Sequence, residues 1–133
     1  MPITALYAGL LTLLFVVLSV GVIRVRVGEK ISVGDGDNSD LLRRIRVHAN
    51  FAEYAPLALV LLGLAESLKT DPRLLHAIGA TLLIGRICHA IGLSPQPGIS
   101  PLRVGGMVLT FIALLTGAAT CIMGSVLRGS FAP

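Results

Sequence analysis

Arg46, Asn50, Glu53 and Tyr54 follow one another at intervals of four, three and one in the stretch RIRVHANFAEYAP, residues 44–56. On a helix turning about 100° per residue with Arg46 at zero, Asn50 falls at about 40°, Glu53 at about −20° and Tyr54 at about 80°. Arg43 joins them at about 60° if the helix reaches back that far, whereas His48, at about 200°, points away. The stripe therefore mixes cations, an amide, an anion and a phenol. Arginine binds carboxylates through paired hydrogen bonds, glutamate suits an ammonium, and asparagine and tyrosine suit peptide groups. A small peptide with two carboxylates and a free amine would engage every one of them. A plainer arrangement uses the same residues: an internal salt bridge between Glu53 and an arginine on the second or third apolar segment.

Other residues add to this chemistry. Arg86 and His89, three apart in GRICH, share a helix face. Arg103 opens the last apolar segment at about the depth where the stripe starts, and a fixed cation there can hold a thiol as its thiolate. The alternative for Arg103 is a simple interfacial anchor. Glu66 and His76 fall near the opposite edge and read as interfacial. Cys88 and Cys121 form no CxxC pair and read as small packing residues. His48, Glu53 and His89 lack the local spacing of a metal set, so no metal is expected. Asp35, Asp37 and Ser39 imitate the start of a calcium loop, but Asp40 and Arg46 stand where that loop needs glycine and glutamate.

The elements that carry these residues are read from hydropathy. The chain has 133 residues, 54% hydrophobic and only 14% charged, with a mean hydropathy of +0.86. A soluble domain needs more charged surface than this. The apolar residues come in blocks of roughly bilayer length. The fold class expected is an all-α integral membrane four-helix bundle forming a single domain over 1–133, with spans at about 3–23, 47–68, 74–93 and 102–127. The first run has no Lys or Arg before Arg24 and is too long for a leader, so it reads as a retained helix. KTDP (69–72) makes the second and third spans antiparallel neighbours. SPQPGISP (94–101) interrupts the chain before the fourth, and the connection 24–46, with its GDGDNSD, belongs in water.

The net charge of +4 carries no arginine–aromatic interleaving, and nucleic acid is not an expected partner. Six of the Lys and Arg residues lie in 24–46, and Arg103 ends the third connection; only Lys69, Arg73 and Arg128 lie on the other side. The positive-inside rule then puts the first and third loops in the cytoplasm and both termini outside. Ionisable side chains inside a membrane are costly and face a bundle interior or wet cavity. The second and third helices, which hold Glu53, Arg86 and His89, should line any site, with the first and fourth as outer walls. Pro56 removes a helical hydrogen bond just below the stripe, and a local bend is expected there. Small residues at intervals of four in the last span (Ala113, Gly117, Cys121, Ser125), with Ala5 and Gly9 in the first, suit either packing within the bundle or a subunit contact.

RIRVHANFAEYAP, preceded by GDG and followed by LALVLLGLAE, resembles the MAPEG family, membrane-associated proteins in eicosanoid and glutathione metabolism, and in particular its compact bacterial members. The likeness covers nearly the whole chain. It implies a homotrimer in the bacterial inner membrane, with glutathione as co-substrate held between neighbouring subunits near the cytoplasmic side. By matching position it assigns Arg46, Asn50, Glu53, Tyr54, Arg86 and His89 to glutathione, and Arg103 to stabilising the thiolate as catalytic residue. Arg24 or Arg26 is expected near the site. Leu93 stands where several family enzymes present a tyrosine, a departure at one ligand contact. The implied activity is glutathione transfer to lipophilic electrophiles, with reduction of lipid hydroperoxides beside it. Two other readings stand: a non-catalytic lipid-binding or scaffolding member of the same fold, and a small four-helix exporter. The exporter is disfavoured because the first helix lacks a membrane glutamate.

Overall fold

The computed structural model describes residues 1–92 and 100–129, with side chains to Leu127 in the last helix. It consists of four helices: α1 (Pro2–Glu29), α2 (Ser39–Ser67), α3 (Pro72–Ile91) and α4 (Pro101–Gly129). All four are long and apolar enough to cross a bilayer. The chain is an all-α, multi-pass membrane protein.

Two helices run well past their expected ends. α1 continues beyond residue 23 to Glu29, and α2 starts at Ser39 rather than 47, so the linker expected over 24–46 shrinks to 30–38. Hydropathy stops where arginines begin, but arginine is a good helix former, and a helix stops only where its hydrogen bonds do. For α1 that point is Lys30, whose left-handed backbone (φ 56°) caps the end while the Ile31 N–H donates to Arg26 O at 2.9 Å. For α2 it is Asn38, whose Oδ1 accepts from the Asp40 and Leu41 amides at 3.0 Å each. Between them, Gly34, Gly36 and Asp37 all adopt positive φ, the turn chemistry expected of GDGDNSD. At the other end, Asp71 Oδ1 accepts from the Arg73 amide at 2.7 Å and starts α3.

α1 has no side-chain cap of its own. Its first turn instead points at Glu66 near the end of α2: the carboxylate accepts from the Ile3 amide (3.1 Å), the Thr4 amide (2.8 Å) and the Thr4 hydroxyl (2.6 Å). An anion at a helix N-terminus is favourable both for the unpaired amides and for the helix dipole. Beside it, the Tyr7 hydroxyl donates to the His76 carbonyl at 3.0 Å, which ties the starts of α1 and α3 together. Glu66 and His76, expected to be interfacial, are thus the joints of this end of the bundle.

α1 packs on α2 and α3, α4 packs on α3 and α2, and α1 and α4 do not meet among the described residues. Burial follows. In α1 and α4, 11% and 22% of the apolar window is covered; in α2 and α3 the figures are 33% and 39%. The outer helices are walls, as expected, with a core of residues such as Leu11, Leu62, Leu75 and Leu82 between them. α3 and α4 approach most closely, through Gly85 and Gly106. A Cβ on Gly106 would lie 2.5 Å from the His89 amide nitrogen and 2.6 Å from the Gly85 carbonyl oxygen. No side chain fits there.

The small-residue row of α4 resolves largely into this internal packing. Ala113 and Gly117 are buried, and the Cys121 thiol donates to the Leu61 carbonyl at 3.3 Å. Ser125, Ala5 and Gly9 remain exposed.

Candidate functional site

α2 and α3 bring Asn50 and Arg86 together. Arg86, one of the largest fully buried side chains at 1% exposure, donates through Nη1 to Asn50 Oδ1 at 2.9 Å and to the Asn50 carbonyl at 3.3 Å. Its Nη2 reaches Met107 Sδ of α4 at 3.4 Å. The guanidinium carbon lies 5.9 Å from the centre of the Tyr54 ring, within cation–π range. Tyr54 in turn meets Phe111 edge-on, ring centres 5.7 Å apart. Arg86 Nε is buried and has no hydrogen-bond partner among the described residues. Three helices thus close around one cation, and no carboxylate is among its contacts.

Arg46 and Glu53 stand on the same stripe and do something different. Both are exposed on the outside of α2. The ion pairs among the described residues are Arg43–Asp40 and Arg44–Asp40, so Glu53 is paired with no arginine and the internal salt bridge is absent from the subunit. The helical phase explains the division. Asn50 and Tyr54, at about 40° and 80°, turn toward α3 and α4; Arg46 and Glu53, at about 0° and −20°, turn away. His48 faces α1, as its angle requires, stacking on Phe15 at 4.6 Å. Its Nε2 lies 3.0 Å from Ser19 Oγ, whose proton is donated to the Phe15 carbonyl, so His48 is the donor of that pair.

His89 is buried one turn beyond Arg86, its backbone against Gly106. Arg103 is exposed in the first turn of α4, and its backbone packs on Gly92 at the end of α3. Stepping along α3 from Arg86 through His89 to Gly92 therefore passes Met107, Gly106 and Arg103 in reverse order on α4. Arg86, His89 and Arg103 occupy one end of the bundle, with Asn50 and Arg46 at the facing end of α2. Leu93 lies outside the described residues. Arg24 is exposed; Arg26 is half-buried, with Nη1 buried and without a partner among the described residues.

Two members of this cluster, Met107 and Phe111, carry no functional signature in the sequence. Their only trace is spacing, since they follow Arg103 by four and eight on α4 and so recur on its face. Apolar residues at that spacing occur all along α4, and nothing local distinguishes these two.

Four apolar spans make this a small polytopic membrane protein. The MAPEG family model matches residues 4–123, and the chain belongs to that family. It is similar to two Escherichia coli proteins named Inner membrane protein YecN, from strains K12 and O6:H1 (CFT073), each 37% identical over 113 residues and covering 85% of either chain. No solved structure matches.

Proposed function

We propose that the protein is a membrane-bound glutathione transferase, working as a homotrimer with glutathione held between neighbouring subunits. The observation that carries this reading is the charge left uncompensated in α2 and α3. Arg46 and Glu53 face outward without a partner among the described residues, while Arg86 is buried without a counter-ion. Such groups on membrane helices are costly unless something polar meets them. A subunit surface and a zwitterionic tripeptide together meet that need.

In this reading a glutathione carboxylate pairs with Arg46 and its amine with Glu53, while the buried Arg86 positions Asn50 and adds positive potential from behind it. Asn50 and Tyr54 take peptide groups, and His89 backs the site from α3. Arg103 at the mouth of α4 holds the thiolate. The sulfur then forms a bond to an electrophilic carbon entering from lipid while the leaving group departs with its electron pair. The same thiolate suits reduction of a lipid hydroperoxide. An end-of-bundle site accommodates a water-soluble thiol and a lipid-soluble acceptor together. The relatives' name and the arginine distribution support a bacterial inner membrane, with loops one and three cytoplasmic and both termini outside. The MAPEG family contains glutathione transferases. The second reading, a non-catalytic lipid-binding or scaffolding member, is favoured by the exposure of Arg103, which no described contact holds toward a reacting atom.

The test is a thermal-shift titration of the detergent-purified protein with glutathione, followed by conjugation of a chlorinated nitrobenzene dye. Wild type should shift saturably, and Arg46→Ala should lose the shift. Arg103→Ala should keep it but conjugate about a hundredfold more slowly. No shift at millimolar glutathione rejects the pocket, and a shift without conjugation selects the binder.

A further inference from the structure

A cavity of about 270 Å³ opens where α1, α2 and α3 meet at the arginine-rich end of the bundle. None of Arg46, Asn50, Glu53, Tyr54, Arg86, His89 or Arg103 lines it, so it is separate from the glutathione reading and does not depend on it. Its apolar wall is Val17, Leu18, Val47 and Ala90; its polar wall is Asp40, Arg43 and Arg44.

The charges on the polar wall do not balance. Asp40 accepts from Arg44 Nε at 2.9 Å, and Arg43 Nη2 stands 3.9 Å from the same carboxylate, an ion pair too long for a hydrogen bond. One carboxylate thus faces two guanidinium groups. The Arg43 fork and the Arg44 Nη1 and Nη2 atoms have no hydrogen-bond partner among the described residues. All three residues lie in the first two turns of α2, which begins at Ser39, where the helix dipole adds positive potential. Gly21 of α1 completes the wall. A Cβ there would lie 3.4 Å from Arg44 Nη1, so the missing side chain leaves room in front of the guanidinium.

We propose that this cavity seats the phosphate of an anionic membrane phospholipid, with the glycerol and first methylenes against Val17, Leu18, Val47 and Ala90. A soluble anion would use the arginines and leave the apolar wall idle. A headgroup at the end of a membrane span uses both, and basic pockets between membrane helices are suited to such headgroups. Phosphate oxygens accept the fork of Arg43 and the free donors of Arg44, and the extra positive charge is neutralised.

The experiment measures retention of phosphatidylglycerol, phosphatidylcholine or glycerol 3-phosphate by the protein in neutral detergent, using native mass spectrometry. Phosphatidylglycerol should be retained preferentially. Its affinity should fall about tenfold or more in the double variant Arg43→Gln/Arg44→Gln, each arginine supplying an appreciable share of the attraction. Gly21→Leu, which fills the cavity without altering charge, should lower it comparably, and Arg44→Lys should keep most of it. Wild-type protein supplies a reading free of folding effects: phosphatidylglycerol should slow phenylglyoxal modification of Arg43 and Arg44 but not of exposed Arg24. Equal retention of phosphatidylcholine overturns the proposal, as does unchanged arginine modification. A response to glycerol 3-phosphate equal to that for the lipid overturns it in favour of a soluble anion.

Discussion

Arg86 rests on two oxygens of Asn50, a thioether and the face of an aromatic ring, at 1% exposure and with no carboxylate among its described contacts. A hydrogen bond to a charged group contributes about 1.5–3 kcal/mol, and removing the acceptor leaves the donor desolvated. Asn50→Leu should therefore destabilise the protein by about that amount. Adding Arg86→Met to it should recover part of the loss, because replacing both partners removes the stranded cation. Melting of the two single variants and the double variant in one detergent checks this. Strictly additive losses would show that Asn50 and Arg86 do not act as a pair. Glu53 is the complementary case. It has no ion pair to lose within the subunit, so Glu53→Ala should leave the melting temperature of the ligand-free protein nearly unchanged. If the amine of glutathione binds there, its affinity should fall about tenfold, the loss of one charge-assisted hydrogen bond. Thermal-shift titration separates the two effects.

At the scale of helices, two contacts hold the bundle at opposite ends. The α3–α4 crossing depends on Gly106, where an added Cβ would meet backbone rather than the tip of a flexible side chain. Gly106→Val should separate the helices and cost about 3 kcal/mol or more, the upper range for overpacking a tight contact. The same substitution at Gly9, where nothing lies within 4 Å, should be far milder. Comparing the melting curves of these two valine variants is the check. At the other end the Glu66 carboxylate caps the first turn of α1. Glu66→Ala should lower the melting temperature, and Glu66→Gln should do so less, since an amide still accepts hydrogen bonds but brings no charge to the dipole. Hydrogen exchange should rise first at Ile3 and Thr4. Unchanged exchange there would mean that α1 is capped some other way.

Across the whole molecule, the apolar outer surface suits lipid, and Arg46 and Glu53 are outward-facing charges on α2 without an ion-pair partner among the described residues. Assembly that covers them is the economical answer, and the trimer proposed above should appear as three copies in native mass spectra of the detergent-purified protein. Two or four copies would reject that stoichiometry while leaving the stripe's need for cover in place.

Chain order alone was sufficient for features that depend on neighbours along the helix. The lengths of the apolar runs specified four spans, and the fixed turn of about 100° per residue placed Arg46, Asn50, Glu53 and Tyr54 on one stripe with His48 behind it. The C-terminal end of α1 and the start of α2 were missed because hydropathy records solvent preference, whereas these boundaries are set by hydrogen bonds to terminal backbone groups, from the chain turn at Lys30 and from the Asn38 side chain. Other features join residues far apart in the chain: Arg86 with Asn50 and Met107, Glu66 with Thr4, Arg44 with Gly21. These depend on which helix faces meet and at what height, and that follows from close packing at places such as Gly85 and Gly106. A local pattern holds no record of that fit, because the partner surface comes from a distant segment.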